Sequence, residues 1–157
     1  MAPATRRPAP FLWRSELWLP RPVEEVFPFF ADAHNLEALT PPFLRFRVES
    51  PAPMVMAPGA RIDYRLRIHG IPVRWQSEIT VWDPPRRFVD EQRKGPYKAW
   101  IHTHTFTPRD GGTLVEDEVW YDVPGGAFVN EFFVRRDVER IFAYREERLR
   151  ERFGSKR

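Results

Sequence analysis

The sequence predicts one α+β domain, a seven-stranded antiparallel sheet curled around a long C-terminal helix, with two short helices after the first strand. Apolar and polar residues alternate through most of residues 44–121, which is typical of a sheet with one buried face. The last part of the chain changes to helical spacing. A chain of 157 residues with 42% hydrophobic content is long enough for one domain with its own core.

The first strand is predicted at residues 11–19, where large apolar side chains occupy odd positions. A helix should begin at Pro22, because proline is favoured in the first helical turn. Pro28 lies inside this helix and should shorten or kink it. Asp32 can cap a second short helix at residues 33–39.

Six further strands follow, and each shows a period of two residues. They are expected at residues 44–48, 62–68, 73–81, 87–93, 98–107 and 113–121. The alternation places Trp82 on the polar face of the sheet. The remaining helix is predicted at residues 128–153, and Gly154 ends it. Its apolar stripe includes Arg145, for which we favour an ion pair with a buried acid such as Asp90 or Asp117.

Composition excludes several classes of protein. The chain has no cysteine, which removes disulfides, thiol catalysis and zinc ribbons and suits a cytoplasmic location. The net charge is +3 and acids are interleaved with bases, so no nucleic-acid partner is expected. No apolar run is long enough to predict membrane insertion. Residues 1–10 and 154–157 are expected to be tails, the first of them disordered, that flank a single domain at residues 11–153.

The sixth strand carries the strongest candidate site. Trp100, His102, His104 and Phe106 share one face, and the aromatic side chains favour the inside of the sheet for all four. A four-residue turn after this strand would place His102 opposite Asp117, whereas a two-residue turn would place His104 there. Both registers predict a buried histidine–aspartate cluster.

Other side chains are expected on the same wall. The remaining predicted lining residues are Tyr64, Trp75, Asp90, Tyr121, Val138 and Phe142. The register of the fifth strand leaves either Asp90 or Glu91 facing inward. A buried aspartate and histidine can pair simply because each needs a partner, so no catalytic residue is assigned.

A metal ion is not expected at this cluster. The pair His102 and His104 has no acid at the spacing that metal-binding strand motifs use, although Asp117 could complete a triad. The prediction is therefore a site without metal or cofactor.

Several local strings resemble the START-like superfamily, also called SRPBCC. They are Pro22-Val23-Glu24-Glu25-Val26-Phe27, Asn35-Leu36, Thr40-Pro41-Pro42, Gly59, Asp83-Pro84-Pro85-Arg86-Arg87-Phe88, Gly95-Pro96-Tyr97, the run from Trp100 to Phe106, Gly111-Gly112-Thr113 and Ile141-Phe142-Ala143-Tyr144-Arg145. The likeness covers about residues 11–153. Within the superfamily, the chain is similar to bacterial ligand-binding SRPBCC and polyketide cyclase/dehydrase-like proteins. It implies a helix-grip fold around an internal cavity.

The resemblance leaves three functions to compare. The first is binding of a small hydrophobic or aromatic molecule, lipid-, polyketide- or quinone-like, by a monomer or homodimer. The second is a polyketide aromatase/cyclase-type enzyme in which a cavity histidine transfers protons. The third is a protein–protein module that uses arginines on the outer face of the sheet. Because one fold hosts many activities, the fold alone does not decide among them.

Overall fold

A computed structural model describes residues 7–154 of the chain. Residues 1–6 of the expected N-terminal tail and residues 155–157 of the C-terminal one lie outside this part. Seven strands form one sheet: β1 (Phe11–Leu19), β2 (Arg47–Val48), β3 (Arg61–Ile68), β4 (Ile71–Asp83), β5 (Arg87–Lys94), β6 (Ala99–Arg109) and β7 (Gly112–Asp122). Their order across the sheet is β1-β7-β6-β5-β4-β3-β2, and all neighbours are antiparallel. The predicted α+β fold class is confirmed.

A two-residue turn fixes the register of β6 against β7, which positions part of the site. Asp110 and Gly111 both have positive φ, at 50° and 76°, as the tight turn between twisted antiparallel strands requires. Arg109 therefore pairs with Gly112, and further along the ladder His104 pairs with Asp117. Of the two registers that the sequence left open, the structure has the one with the shorter turn.

The helices lie against the concave face of the sheet. Helix α1 (Val23–Ala31) contains Pro28 without ending there. A 3₁₀ turn (Ala33–Asn35) and α2 (Leu36–Leu39) follow, and the side chain of Asp32 accepts a hydrogen bond from the His34 backbone N–H. The C-terminal helix consists of an α-helical turn (Gly126–Val129), a π-helical segment (Asn130–Val134) and an α-helix (Arg135–Phe153). In the part of the chain that the structure covers, no helix combines the length and apolar character needed to cross a membrane.

Two expectations about single elements were wrong. The alternation at residues 44–48 predicted a full strand, but a 3₁₀ turn occupies Pro42–Leu44 and Arg45 has a φ of 46°. Only Arg47–Val48 pairs with β3. Trp82 was expected on the polar face, yet an irregularity between Ile79 and Val81 shifts the register, and Trp82 packs 5.5 Å from the rings of Phe27 and Phe88.

The core forms two groups of buried side chains. The larger lies under α1 and includes Phe27, Phe30, Phe88 and Phe106. The smaller lies where the C-terminal helix packs on β7, around Val119 and Phe142. Between these groups the helix stands away from β3–β6, and the space that remains is the cavity described below.

Candidate functional site

A cavity of about 290 Å³ separates the C-terminal helix from the sheet. Strands β3 to β6 form its floor, the short helices and the segment after them form one side, and the C-terminal helix forms the roof. The residues that line it are Phe30, Ala33, Leu36, Thr40, Leu44, Phe46, Met56, Ile62, Tyr64, Leu66, Ile68, Trp75, Ser77, Ile79, Phe88, Asp90, Pro96, Tyr97, Trp100, His102, His104, Val123, Pro124, Val129, Val134, Asp137, Ile141 and Arg145. Most of this wall is apolar, so it favours an apolar occupant.

Aromatic rings concentrate on one part of the wall. Trp75 and Trp100 meet edge to face at 5.4 Å, and Tyr97 lies 5.4 and 4.8 Å from them. The indole N–H of Trp75 donates to Ser77 Oγ at 3.0 Å, which holds its ring in place. Aromatic faces in this arrangement offer a large apolar contact area to a flat molecule.

A cluster of polar side chains interrupts the apolar wall. His102 and His104 are adjacent on the inward face of β6, and their rings stack with centroids 3.6 Å apart. His102 Nε2 lies 2.7 Å from Asp117 Oδ1, and His104 Nε2 lies 2.6 Å from Asp90 Oδ2. On the neighbouring strands, Val119 and Asp90 lie directly opposite His102. Phe88 and Asp117 lie directly opposite His104. Each histidine therefore bonds to the carboxylate that lies diagonal to it and not to the one directly opposite.

One arginine offsets part of the negative charge in this cluster. The Arg145 guanidinium lies 3.9 Å from Asp117 Oδ1 and also lies over the ring of Phe30. Burial alone would raise the pKa of Asp117, but Arg145 and the hydrogen bond from His102 lower this pKa on balance. The pKa of Asp90 is also lowered, because His104 and His102 outweigh its burial.

The surroundings of His104 change the pKa of its imidazole. Burial, followed by the neighbouring His102, lowers the pKa of His104 to about 4, although its bond to Asp90 acts in the opposite direction. The ring is therefore neutral at physiological pH. Its Nδ1 is buried, makes no hydrogen bond, and lies 3.5 Å from Asp117 Oδ1.

Acid should destabilise the protein as the pH falls below about 6.5. The pKa of His104 is about 4 in the folded chain and 6.5 for an ordinary histidine, so the unfolded chain binds a proton that the folded chain does not. The free energy of unfolding should therefore fall as the pH drops from about 6.5 towards 4. Asp90 and Asp117, whose pKa values are lowered, add a further loss below about pH 4.

Urea midpoints measured from pH 8 to pH 4 check this expectation. A His104→Gln variant should lose most of the slope between pH 6.5 and 5, whereas the exposed-site variant His69→Ala should keep it. A wild-type midpoint that is constant over this interval would contradict a buried neutral His104.

The structure brings together only part of the predicted lining. Tyr64, Trp75, Asp90, Trp100, His102 and His104 line the cavity. Five other predicted residues do not line it, and these are Phe106, Asp117, Tyr121, Val138 and Phe142.

Each of these five side chains contacts other side chains of the protein and does not face the cavity. Phe106 is covered by the α1 rings Phe27 and Phe30, and Asp117 lies behind the histidines that it contacts. Tyr121, Val138 and Phe142 belong to the smaller core group, where the helix packs directly on the sheet. The hydroxyl of Tyr121 donates to Asn130 Oδ1 at 2.8 Å, within the π-helical segment.

Several lining residues were not predicted from the sequence. Tyr97 comes from the turn between β5 and β6, and its ring enters the aromatic wall. The side chain of Gln92 bonds to both backbone groups of Tyr97, which holds this turn against the sheet. A period of two does not extend into a turn, so no strand pattern could have indicated Tyr97. Ile141 precedes Arg145 by four residues on the predicted C-terminal helix, and this helical spacing was the available signal for it.

One comparison with known proteins identifies the family. A family model described as polyketide cyclase / dehydrase and lipid transport matches residues 16–154. The comparison with curated proteins gives no match. Similar solved structures include protein CV1439 from Chromobacterium violaceum, with 15% identity and a TM-score of 0.73 over 92% of this chain and 98% of that one.

Two other structures show the same architecture. TTHA0849 from Thermus thermophilus is 27% identical, with a TM-score of 0.57 over 92% of this chain and 94% of that one. Ara h 8.0201 is 15% identical, with a TM-score of 0.63 over 88% of this chain and 97% of that one. The matching family model spans nearly the whole described domain, and the helix-grip fold is shared. The chain therefore belongs to the polyketide cyclase / dehydrase and lipid transport family, within the SRPBCC superfamily.

Proposed function

We propose that the protein binds a small hydrophobic or aromatic molecule in the cavity between the sheet and the C-terminal helix. The observation that carries this proposal is the cavity of about 290 Å³, which has an apolar and aromatic wall broken by one cluster of histidine and aspartate. Membership of a family described by lipid transport and polyketide cyclisation supports binding of hydrophobic ligands in general.

The size and polarity of the cavity narrow the class of ligand. Its volume is at the lower end of the range of about 300–1,000 Å³ for small-molecule sites. A compact ring system fits this space better than a long lipid chain does. Trp75, Trp100 and Tyr97 would contact the ring faces, and His102 with Asp90 would orient one polar group of the ligand.

A neutral fluorescent probe, N-phenyl-1-naphthylamine, tests the proposal. We expect a saturable increase in its fluorescence with one probe bound per chain. Ile68 lines the cavity and is half-buried, so Ile68→Trp should fill part of the space. The affinity should then fall at least about tenfold, which is about 1.4 kcal/mol of binding free energy.

The matched control is Val55→Trp, because Val55 is 87% exposed and adds the same indole away from the cavity. This variant should bind the probe as the wild type does. Equal affinities for wild type and Ile68→Trp would place the probe elsewhere and contradict the proposal. Displacement of the probe by quinones, aromatic polyketides or fatty acids then ranks the ligand classes.

Proton transfer is the second candidate function. The observation that favours it is that two histidine–aspartate pairs lie at the wall of a cavity in a chain of the polyketide cyclase / dehydrase family. A histidine held by a carboxylate can act as a general base on a bound poly-β-ketone. Cyclisation of a polyketide mimic, abolished in His102→Gln and unchanged in His69→Ala, would support it. Equal rates in these two variants would contradict it.

The remaining expectations concern the oligomeric state of the protein, its location in the cell and its partners. A monomer or homodimer, a cytoplasmic location and the absence of a nucleic-acid partner stay predictions from the sequence. Size-exclusion chromatography with light scattering measures the first of them directly.

A further inference from the structure

Three donor atoms converge at one point on the cavity wall. Asp90 Oδ2 lies 2.6 Å from His104 Nε2 and 3.9 Å from His102 Nδ1. One possible ligand atom from each of the three residues lies within 4.8 Å of the other two. Nitrogen and oxygen ligands of one zinc ion at about 2.0–2.2 Å stand about 3–3.5 Å apart, which is close to these two distances. To bind one ion, the two stacked imidazoles would turn so that their nitrogens face it. We propose that Asp90, His102 and His104 form a binding site for a divalent transition-metal ion.

A metal ion was not expected from the sequence, because the histidine pair has no third ligand at the spacing that metal-binding strand motifs use. The structure supplies Asp90 from the neighbouring strand β5, a residue 12 positions before His102 that no local motif could reveal. Two imidazoles and one carboxylate suit Zn²⁺ and other divalent first-row metals, whereas Ca²⁺ and Mg²⁺ prefer oxygen ligands.

The surroundings of His102 support its role as a ligand. Its Nε2–H donates to Asp117 Oδ1 at 2.7 Å, and in a neutral ring this leaves the lone pair on Nδ1, the atom that faces Asp90. Histidine ligands commonly donate their second N–H to a carboxylate in this way, which fixes the tautomer and the ring orientation. Arg145 in turn lies beside Asp117 and balances its charge.

The unpartnered nitrogen of His104 gains a role in the same arrangement. In the metal-free protein, Nε2–H donates to Asp90, and Nδ1 is buried without a hydrogen bond. A metal on Nε2 displaces that proton and places the ring N–H on Nδ1. The carboxylate of Asp117, 3.5 Å away, can then accept from it. The buried Nδ1 of His104, which has no hydrogen bond in the metal-free protein, would thus gain one when the metal is bound.

Formal charge also favours a cation at this point. Asp90 and Asp117 contribute two negative charges and Arg145 one positive charge, so with neutral imidazoles the cluster carries one uncompensated negative charge. The cluster is mostly removed from water, where such a charge is costly. Because all three ligands line the cavity, the open coordination positions of the ion face the space proposed for the organic ligand.

Calorimetric titration of untagged, chelator-treated protein with Zn²⁺ tests the site. We expect one ion per chain with a micromolar or tighter dissociation constant. Asp90→Asn keeps the shape of the side chain and should weaken binding at least about 100-fold. Circular dichroism of Asp90→Asn checks that this variant is folded.

The control uses the other two histidines of the chain. His34 and His69 lie away from the cluster, and His69 pairs with Asp137 at 2.8 Å. A His34→Ala/His69→Ala variant retains only the two histidines that are proposed as ligands, together with Asp90, and should bind Zn²⁺ as the wild type does. Loss of binding in this variant would move the site to the surface histidines and overturn the proposal.

A measurement on the wild type keeps the test independent of folding in the variants. X-ray absorption of the zinc-loaded protein should show two imidazole ligands together with oxygen ligands. A single imidazole, no stoichiometric binding at micromolar Zn²⁺, or unchanged affinity in Asp90→Asn would mean that the cluster is a proton-sharing network only. These readouts need no organic ligand, so they stand apart from the probe experiment.

Discussion

Replacing Phe106 with alanine is expected to lower the free energy of unfolding by about 3–5 kcal/mol. Phe106 is 2% exposed, and its ring lies 5.1 Å from Phe27 and 5.0 Å from Phe30. These contacts join α1 to the centre of the sheet. Alanine would remove the ring and leave a space that the neighbouring rings can fill only in part, so both the transfer free energy and the packing are lost.

Urea unfolding followed by circular dichroism measures this change through the midpoint at constant slope. Phe133→Ala is the matched control, because Phe133 is 57% exposed on the C-terminal helix. That substitution should change stability by no more than about 0.5 kcal/mol. A loss of less than about 1 kcal/mol in Phe106→Ala would contradict the packing between α1 and the sheet.

The strands were predictable because alternation is a direct consequence of burying one face of a sheet. Six of the seven predicted strands agree with the observed ones to within a few residues. The failure was the segment at residues 44–48, where three apolar residues are too few to distinguish a strand from an irregular segment. The left-handed conformation of Arg45 separates the 3₁₀ turn from the two paired residues.

A β-bulge in β4 reverses the side-chain directions that alternation predicts for the residues beyond it. The register shift between Ile79 and Val81 adds one residue to β4, so residues beyond it exchange faces. Trp82 consequently packs against Phe27, where strict alternation would have left it outside. Nothing in the sequence Ile79-Thr80-Val81 indicates the bulge, because neither glycine nor proline occurs there.

The residues of the polar cluster were predictable, but their bonds were not. Alternation brought His102 and His104 to the face that β7 and β5 share, with Asp117 and Asp90 on those strands. Cross-strand register suggests bonds between residues directly opposite. The imidazoles instead reach the diagonal carboxylates, and their rings stack with centroids 3.6 Å apart. Such a choice depends on side-chain rotamers that no spacing encodes.

Replacing Asp117 with asparagine should destabilise the protein by about 3–5 kcal/mol. The carboxylate accepts a hydrogen bond from His102 and is the one carboxylate within 4.0 Å of Arg145 among residues 7–154. Asparagine keeps the size of the side chain but removes its charge. The buried guanidinium of Arg145 is then left without a close anion, and this unpaired charge accounts for most of the expected loss.

Double-mutant cycles identify the partners of Asp117. The Asp117→Asn/Arg145→Met variant should be more stable than Asp117→Asn alone, because it has no unpaired guanidinium, and it keeps the experiment readable if the single variant unfolds. Combining Asp117→Asn with His102→Ala should show a coupling of about 0.5–3 kcal/mol. The coupling with His104→Ala should be smaller, since the hydrogen bond of His104 goes to Asp90. Strict additivity in all three cycles would mean that Asp117 interacts with none of these residues, and the buried cluster would not hold together as described.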